Sequence, residues 1–131
     1  MEPIDVQAQQ AFLCGGDWDS WIGDLDDGVF TLRINATTGR IEGEHIYSPQ
    51  EIYSVEGWCY HPPPRHFMVL TETRPNVTFT YFAEILRKAS GKHRTRAGKR
   101  RRNTAFSESA TLASRTEDIV FDDEWMGVKT T

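Results

Sequence analysis

Three residues in the chain have the types and the neighbours that acid–base chemistry needs: His45, Tyr47 and Glu84. His45 and Tyr47 are two residues apart, so in an extended segment they share a face with Ile41 and Gly43. The missing side chain of Gly43 would leave room beside them inside an enclosed structure. An imidazole titrates near neutral pH, and on an inward face with a phenol it could hydrogen-bond a ligand or transfer a proton. Glu84 alternates with Phe82 and Leu86. If buried among them, its carboxyl would keep its proton to higher pH and serve as a general acid or base. The same alternation also fits a Glu84 facing solvent with Thr78 and Thr80, which would carry Phe82 and Leu86 outward too.

Five aromatic residues, Tyr53, Trp58, Tyr60, Tyr81 and Trp125, are candidates for the lining of a ligand cavity. Pockets are mostly apolar, with a few polar groups that fix orientation. Most aromatics in a small β protein belong to the core, which leaves one or two to touch a ligand. Cys59, His61 and His66 flank a proline run at spacings that match no common zinc arrangement. The acidic groups Asp24, Asp26 and Asp27, or Asp122, Asp123 and Glu124, could bind calcium weakly, though acidic turns are usually just solvated. No nucleophile elbow, phosphate-binding loop or dinucleotide glycine pattern occurs, so no cofactor is expected.

The strongest compositional signal is basic. Arg87, Lys88, Lys92, Arg94, Arg96 and Lys99 to Arg102 crowd one segment that contains no acid, while all 19 acidic residues lie elsewhere. Lys99, Arg100, Arg101 and Arg102 suit contacts to an anionic partner. No aromatics are interleaved with them in sequence, which argues against a stacking platform for single-stranded nucleic acid.

The elements that must position these residues are strands. Short β-branched and aromatic runs separated by Gly, Pro, Asn and Asp predict about eight strands, at residues 18–25, 29–35, 41–47, 52–60, 66–73, 77–87, 104–114 and 117–129. Asp26-Asp27-Gly28 reads as the first turn, and residues 88–103 as a flexible basic loop. Residues 1–15 form an N-terminal arm or short helix. In the second strand Phe30, Leu32 and Ile34 share one face, and Thr31, Arg33 and Asn35 the other. Short connections favour closure, because an up-and-down antiparallel barrel leaves no exposed edge. The expected fold is therefore one all-β barrel domain spanning residues 1–131, with an open two-sheet sandwich as the alternative.

At 38% hydrophobic residues the chain is too apolar to be disordered. No run approaches the roughly 18 apolar residues of a membrane span, and the first residues lack the pattern of a signal peptide. The expectation is a cytoplasmic protein, in which Cys14 and Cys59 would be reduced thiols. The glycosylation acceptor patterns at Asn35 and Asn76 then carry little weight.

Gly16-Asp17-Trp18, ahead of the first strand, resembles the Gly-x-Trp opening of the calycin superfamily, which includes lipocalins, fatty-acid-binding proteins and avidins. The hairpins that follow and the closing segment 123–129 are compatible with it. The resemblance implies an eight-stranded calyx with Trp18 at its closed end, usually facing an arginine of the last strand. Here that strand offers Lys129, with Arg115 just ahead of the closing segment. The expected function is to bind a small apolar or amphipathic molecule in the barrel. The alternatives are a cyclase or isomerase on a hydrophobic substrate, which positioning alone can accelerate, and a partner-binding module that uses the basic residues.

Overall fold

Alternation of inward apolar and outward polar side chains is what closes this chain on itself. The computed structural model describes residues 14–35, 37–60, 65–87, 93–104 and 122–130. Eight antiparallel strands form a closed barrel in chain order: β1 (Gly16–Ile22), β2 (Leu25–Ile34), β3 (Arg40–Ser48), β4 (Glu51–Tyr60), β5 (Phe67–Thr73), β6 (Val77–Arg87), β7 (His93–Thr104) and β8 (Asp122–Lys129). Closure comes from β1 pairing with β8, Trp18 against Lys129 and Ile22 against Trp125. Among the described residues no helix is long and apolar enough to cross a membrane.

Inward and outward residues alternate along the strands except at the bulges, as half-buried strands require. Phe30 and Leu32 of β2, Ile41 of β3, Val55 and Cys59 of β4, Met68 and Leu70 of β5, and Phe79, Tyr81, Ala83 and Ile85 of β6 face the interior. In β3 the inward set is Ile41, Gly43 and His45. The glycine does not leave a void there. A Cβ at Gly43 would lie 2.0 Å from the Thr31 carbonyl oxygen, so glycine instead permits a close approach of β3 to β2.

The turn expected at Asp26-Asp27-Gly28 lies elsewhere. The β1–β2 turn is at Gly23 and Asp24, and residues 26–28 are part of β2. The positive φ implied by glycine is present, 80° at Gly28, but it serves a bulge. Asp19 pairs with Val29 and Trp21 with Asp26, which sets Ser20 alone opposite Asp27 and Gly28. Two residues against one is the geometry of a β-bulge, and it turns the Asp27 side chain inward.

The basic segment is also a correction. Residues 93–104 form strand β7 between β6 and β8, where a flexible loop over 88–103 was expected. Apolar alternation is missing because the outward positions are taken by Arg94, Arg96, Lys99 and Arg101, and the inward ones by Thr95, Gly98 and Arg100. Two flanking ladders hold a sequence of low intrinsic preference in the sheet. Of the strand expected at 104–114 only Thr104 is described, and it ends β7; residues 117–121 of the expected last strand and 1–13 of the N-terminal arm lie outside the described residues.

Cys14 and Cys59 form a disulfide, with Cα atoms 6.0 Å apart, where reduced thiols were expected. The bridge ties the entry to β1 onto the end of β4. Beside it Trp18 is wholly buried, and its indole N–H donates to the Cys14 carbonyl at 2.9 Å. Lys129 occupies the register position opposite Trp18, and burial lowers the pKa of its amine.

Candidate functional site

A chain of polar side chains crosses the barrel interior between its aromatic core and the end that carries the β5–β6 turn. His45, on the inward face of β3, is fully buried. Its ring stacks on Phe30 with centroids 4.0 Å apart, and Tyr47 stands 4.2 Å away, so the two β3 residues are brought together as their spacing predicted. The imidazole Nδ1 meets Glu72 Oε1 of β5 at 2.5 Å, and Nε2 meets the backbone carbonyl of Asp27 at 2.5 Å. The Asp27 carboxylate lies 3.5 Å from Nε2.

Both buried carboxylates have further donors. Glu72 accepts from the Tyr81 hydroxyl at 2.9 Å and from Arg74 Nε at 2.5 Å. Asp27 accepts from Ser20 Oγ at 3.1 Å and from the Tyr47 hydroxyl at 3.1 Å, and Ser20 accepts from the Trp125 indole at 2.9 Å. Arg74 also donates to the Tyr47 hydroxyl. A buried polar group that lacks a partner is expensive, and these satisfy one another.

Environment separates the two acids. Burial raises the pKa of Asp27 above the ordinary carboxylate value, against the opposing pull of His45. Burial acts on Glu72 in the same sense, but hydrogen bonds and charge from His45 and Arg74 outweigh it and leave the pKa below the usual range. Tyr47 and Tyr81 are pushed upward, first by burial and then by the neighbouring carboxylates, so both phenols remain donors. Both ring nitrogens of His45 are held, one by Glu72 and the other by the Asp27 carbonyl. In that arrangement neither nitrogen is free to act on a substrate.

Above this chain, Arg74 of the β5–β6 turn sits among three rings: Tyr53 at 4.3 Å, Phe79 at 4.6 Å and Tyr47 at 4.9 Å from its guanidinium carbon. Arg100 of β7 lies 4.4 Å from the centre of the Phe79 ring and donates to Asp123 at 2.7 Å. Cations over aromatic faces are attracted by the ring quadrupole. The result is a half-buried cluster of rings and guanidinium groups at one end of the barrel.

The remaining candidates separate by face. Tyr81 and Trp125 are buried, with ring centroids 5.2 Å apart and both within contact of Phe30, so they are core. Trp58 and Tyr60 project outward from β4 and are 49% and 62% exposed, which removes them from any interior lining. Glu84 is not with His45 and Tyr47. It lies on the outward face of β6, where Arg65 donates to both of its oxygens at 3.1 and 2.9 Å and holds its pKa below the usual range. Its partner's charge therefore favours the ionised form, opposite to the raised value that general-acid chemistry would need.

Lys99 and Arg101 point outward from β7 while Arg100 points in. Sheet register places Phe82 beside Lys99, an interleaving of aromatic and cation that exists across strands and not along the chain. Cys59 is committed to the disulfide, and His61 lies outside the described residues. Among the described residues no group of three or more His, Cys, Asp or Glu side chains is arranged to hold a metal ion.

Sequence reading missed Glu72, Asp27, Arg74 and Ser20. A signal for Glu72 existed, since it continues the inward alternation Met68, Leu70, Glu72. Asp27 had none, because a bulge reverses its direction. Comparison with protein-family models and with curated proteins finds no match for this chain.

Proposed function

We propose that this barrel binds a small amphipathic molecule at the end where Tyr47, Tyr53, Arg74, Phe79 and Arg100 converge, and that its architecture is calycin-like. The observation that carries the reading is Arg74: one turn residue packed on three rings, with its guanidinium on a buried Glu72. A side chain anchored from a turn can swing outward without disturbing a strand. Swung outward, it would uncover three aromatic surfaces for a ligand's apolar body and hold the ligand's anionic group at the rim with its guanidinium. Pockets of this composition hold the apolar body on rings and orient the polar group by a few hydrogen bonds.

The cyclase or isomerase reading has less support. It would use Tyr47 and His45, and both are occupied by fixed partners, while Glu84 faces outward. The disulfide supports an oxidising compartment over the cytoplasm, since such bonds persist where thiols are not kept reduced.

Titration with 1-naphthoate, followed by thermal unfolding and by NMR shifts of the Tyr47, Tyr53 and Phe79 rings, tests the proposal. Saturable stabilisation with shifts at those rings is expected, and its loss in Arg74→Ala. Neither stabilisation nor shifts with 1-naphthoate or with dodecanoate would overturn it.

A further inference from the structure

The ladder between β7 and β8 is interrupted. Arg94 pairs with Val128 and Lys99 with Glu124, and no residue pair lies between them. On the other side of β7 the register also shifts, between Glu84 opposite Arg96 and Phe82 opposite Lys99. Ala97 sits in this stretch with φ of 54°, a left-handed conformation that non-glycine residues seldom adopt and that clusters at functional sites. A cleft of about 760 Å³ opens over the seam, within the size range of small-molecule sites.

The lining divides by chemistry. Leu86 and Met126 supply apolar surface, and Arg94, Arg96 and Lys99 supply positive charge. The acids Asp24 and Glu124 stand at the end nearest the β1–β2 turn, where the Gly23 N–H donates to the Glu124 carbonyl at 3.0 Å. Lys99 is opposite Glu124 in register, which leaves the positive end to Arg94 and Arg96.

Two further facts select an anion for that end. Arg94 Nε is buried and meets no hydrogen-bond partner among the described residues, a costly state for a charged donor. Glu84, the acid opposite Arg96 in register, has both oxygens already bonded to Arg65.

The geometry points to a second binding site, at this seam, for a small organic phosphate monoester. Its dianion meets the forks of Arg94 and Arg96, and its apolar body lies on Leu86 and Met126. Guanidinium groups present paired N–H donors that match phosphate oxygens, and two of them can share one dianion. The site is on the outer wall of the barrel and is separate from the rings around Arg74.

Phenyl phosphate is the probe, with binding read by calorimetry and by the Arg94 Nε–Hε resonance. Saturable one-to-one binding that shifts that resonance is expected. Arg94→Gln should weaken it by roughly tenfold or more, as loss of a charge-assisted hydrogen bond does. Arg94→Lys should recover part of the loss, and Arg33→Gln, which removes an equal charge from another face, should leave binding unchanged. If Arg94→Gln does not fold, Arg96→Gln and the wild-type resonance decide the matter. Absence of saturable binding at millimolar probe, or equal affinity in Arg94→Gln, would overturn the site. Inorganic phosphate or benzoate binding as tightly as phenyl phosphate would overturn the ligand class. Retained binding in Arg74→Ala shows that the two sites are independent, and its loss there would place the probe at the ring cluster and overturn the seam site.

Discussion

His45 and Glu72 meet at 2.5 Å between Nδ1 and Oε1, both fully buried, although their strands β3 and β5 are kept apart in the barrel by β4. The contact reaches across the interior and couples two strands that share no backbone hydrogen bond. Breaking such a pair leaves the other member uncompensated. Glu72→Ala should therefore destabilise the protein by about 3–5 kcal/mol, measured by urea unfolding. The double variant His45→Leu with Glu72→Met removes both members of the pair and should be clearly more stable than Glu72→Ala. A double variant as unstable as the single one would contradict the pairing.

The opposite displacements of the two acids predict a signature in pH. Glu72 has a folded pKa below its unfolded value of 4.5, so its contribution is present above that pH and is lost as pH falls through the folded pKa. Asp27 has a folded pKa above its unfolded value of 3.8, so the stability linked to it is present below that pH and declines as pH rises through the folded pKa. Denaturant unfolding between pH 3 and pH 7 should show the stability gap between wild type and Glu72→Gln widest at the neutral end and shrinking below the unfolded value. Asp27→Asn should remove a decline that runs the other way. A gap for Glu72→Gln that is independent of pH would mean that its carboxyl is not held ionised by His45 and Arg74.

Most of the barrel was legible because six strands alternate in the sequence as they do in the wall, with Phe30, Leu32, Tyr81 and Ala83 all inward. Strand β7 was not, since its outward face is basic and its inward face ends on Arg100, which needs Asp123 from another strand to be tolerated. The site was half legible. The shared face of His45 and Tyr47 follows from a spacing of two, whereas their partners depend on events that local pattern does not encode. Asp27 enters through a bulge whose register is set by β1, and Arg74 enters through a turn. Glu84 shows the converse: alternation allowed either face, and it takes the outer one, where Arg65 from across the sheet covers it and leaves it 9% exposed.

The disulfide closes a sequence separation of 45 residues and fastens the buried end around Trp18. Cross-links of this span stabilise chiefly by restricting the unfolded chain, and removal of this one should cost about 4 kcal/mol. Cys59→Ser, or wild type under dithiothreitol, should unfold at lower urea concentration than the oxidised protein. Thiol titration of the unfolded, unreduced protein should find no free cysteine. Two titrating thiols and an unchanged unfolding midpoint in dithiothreitol would show that the bridge does not form.

Two glycines should respond to alanine for different reasons, and the contrast tests how tightly the wall is drawn. At Gly57 of β4 a Cβ would lie 1.8 Å from the Val69 carbonyl oxygen of β5, and also within 3.0 Å of the Leu70 Cα. These are backbone atoms of a paired strand, so Gly57→Ala must push β4 and β5 apart across a ladder that runs from Ser54 to Tyr60. Overpacking of this kind costs about 1–3 kcal/mol or more. Gly23, in the exposed β1–β2 turn, has φ of 58° and open space around its Cβ position. Gly23→Ala meets only the conformational penalty of the left-handed region, about 1 kcal/mol. Urea unfolding of the two variants should place Gly57→Ala well below Gly23→Ala, with NMR shift changes spread along β4 and β5 in the first and confined to the turn in the second. Equal losses would mean that β4 and β5 yield to the added methyl, and that the close approach at Gly57 is not what fixes the curvature of the barrel there.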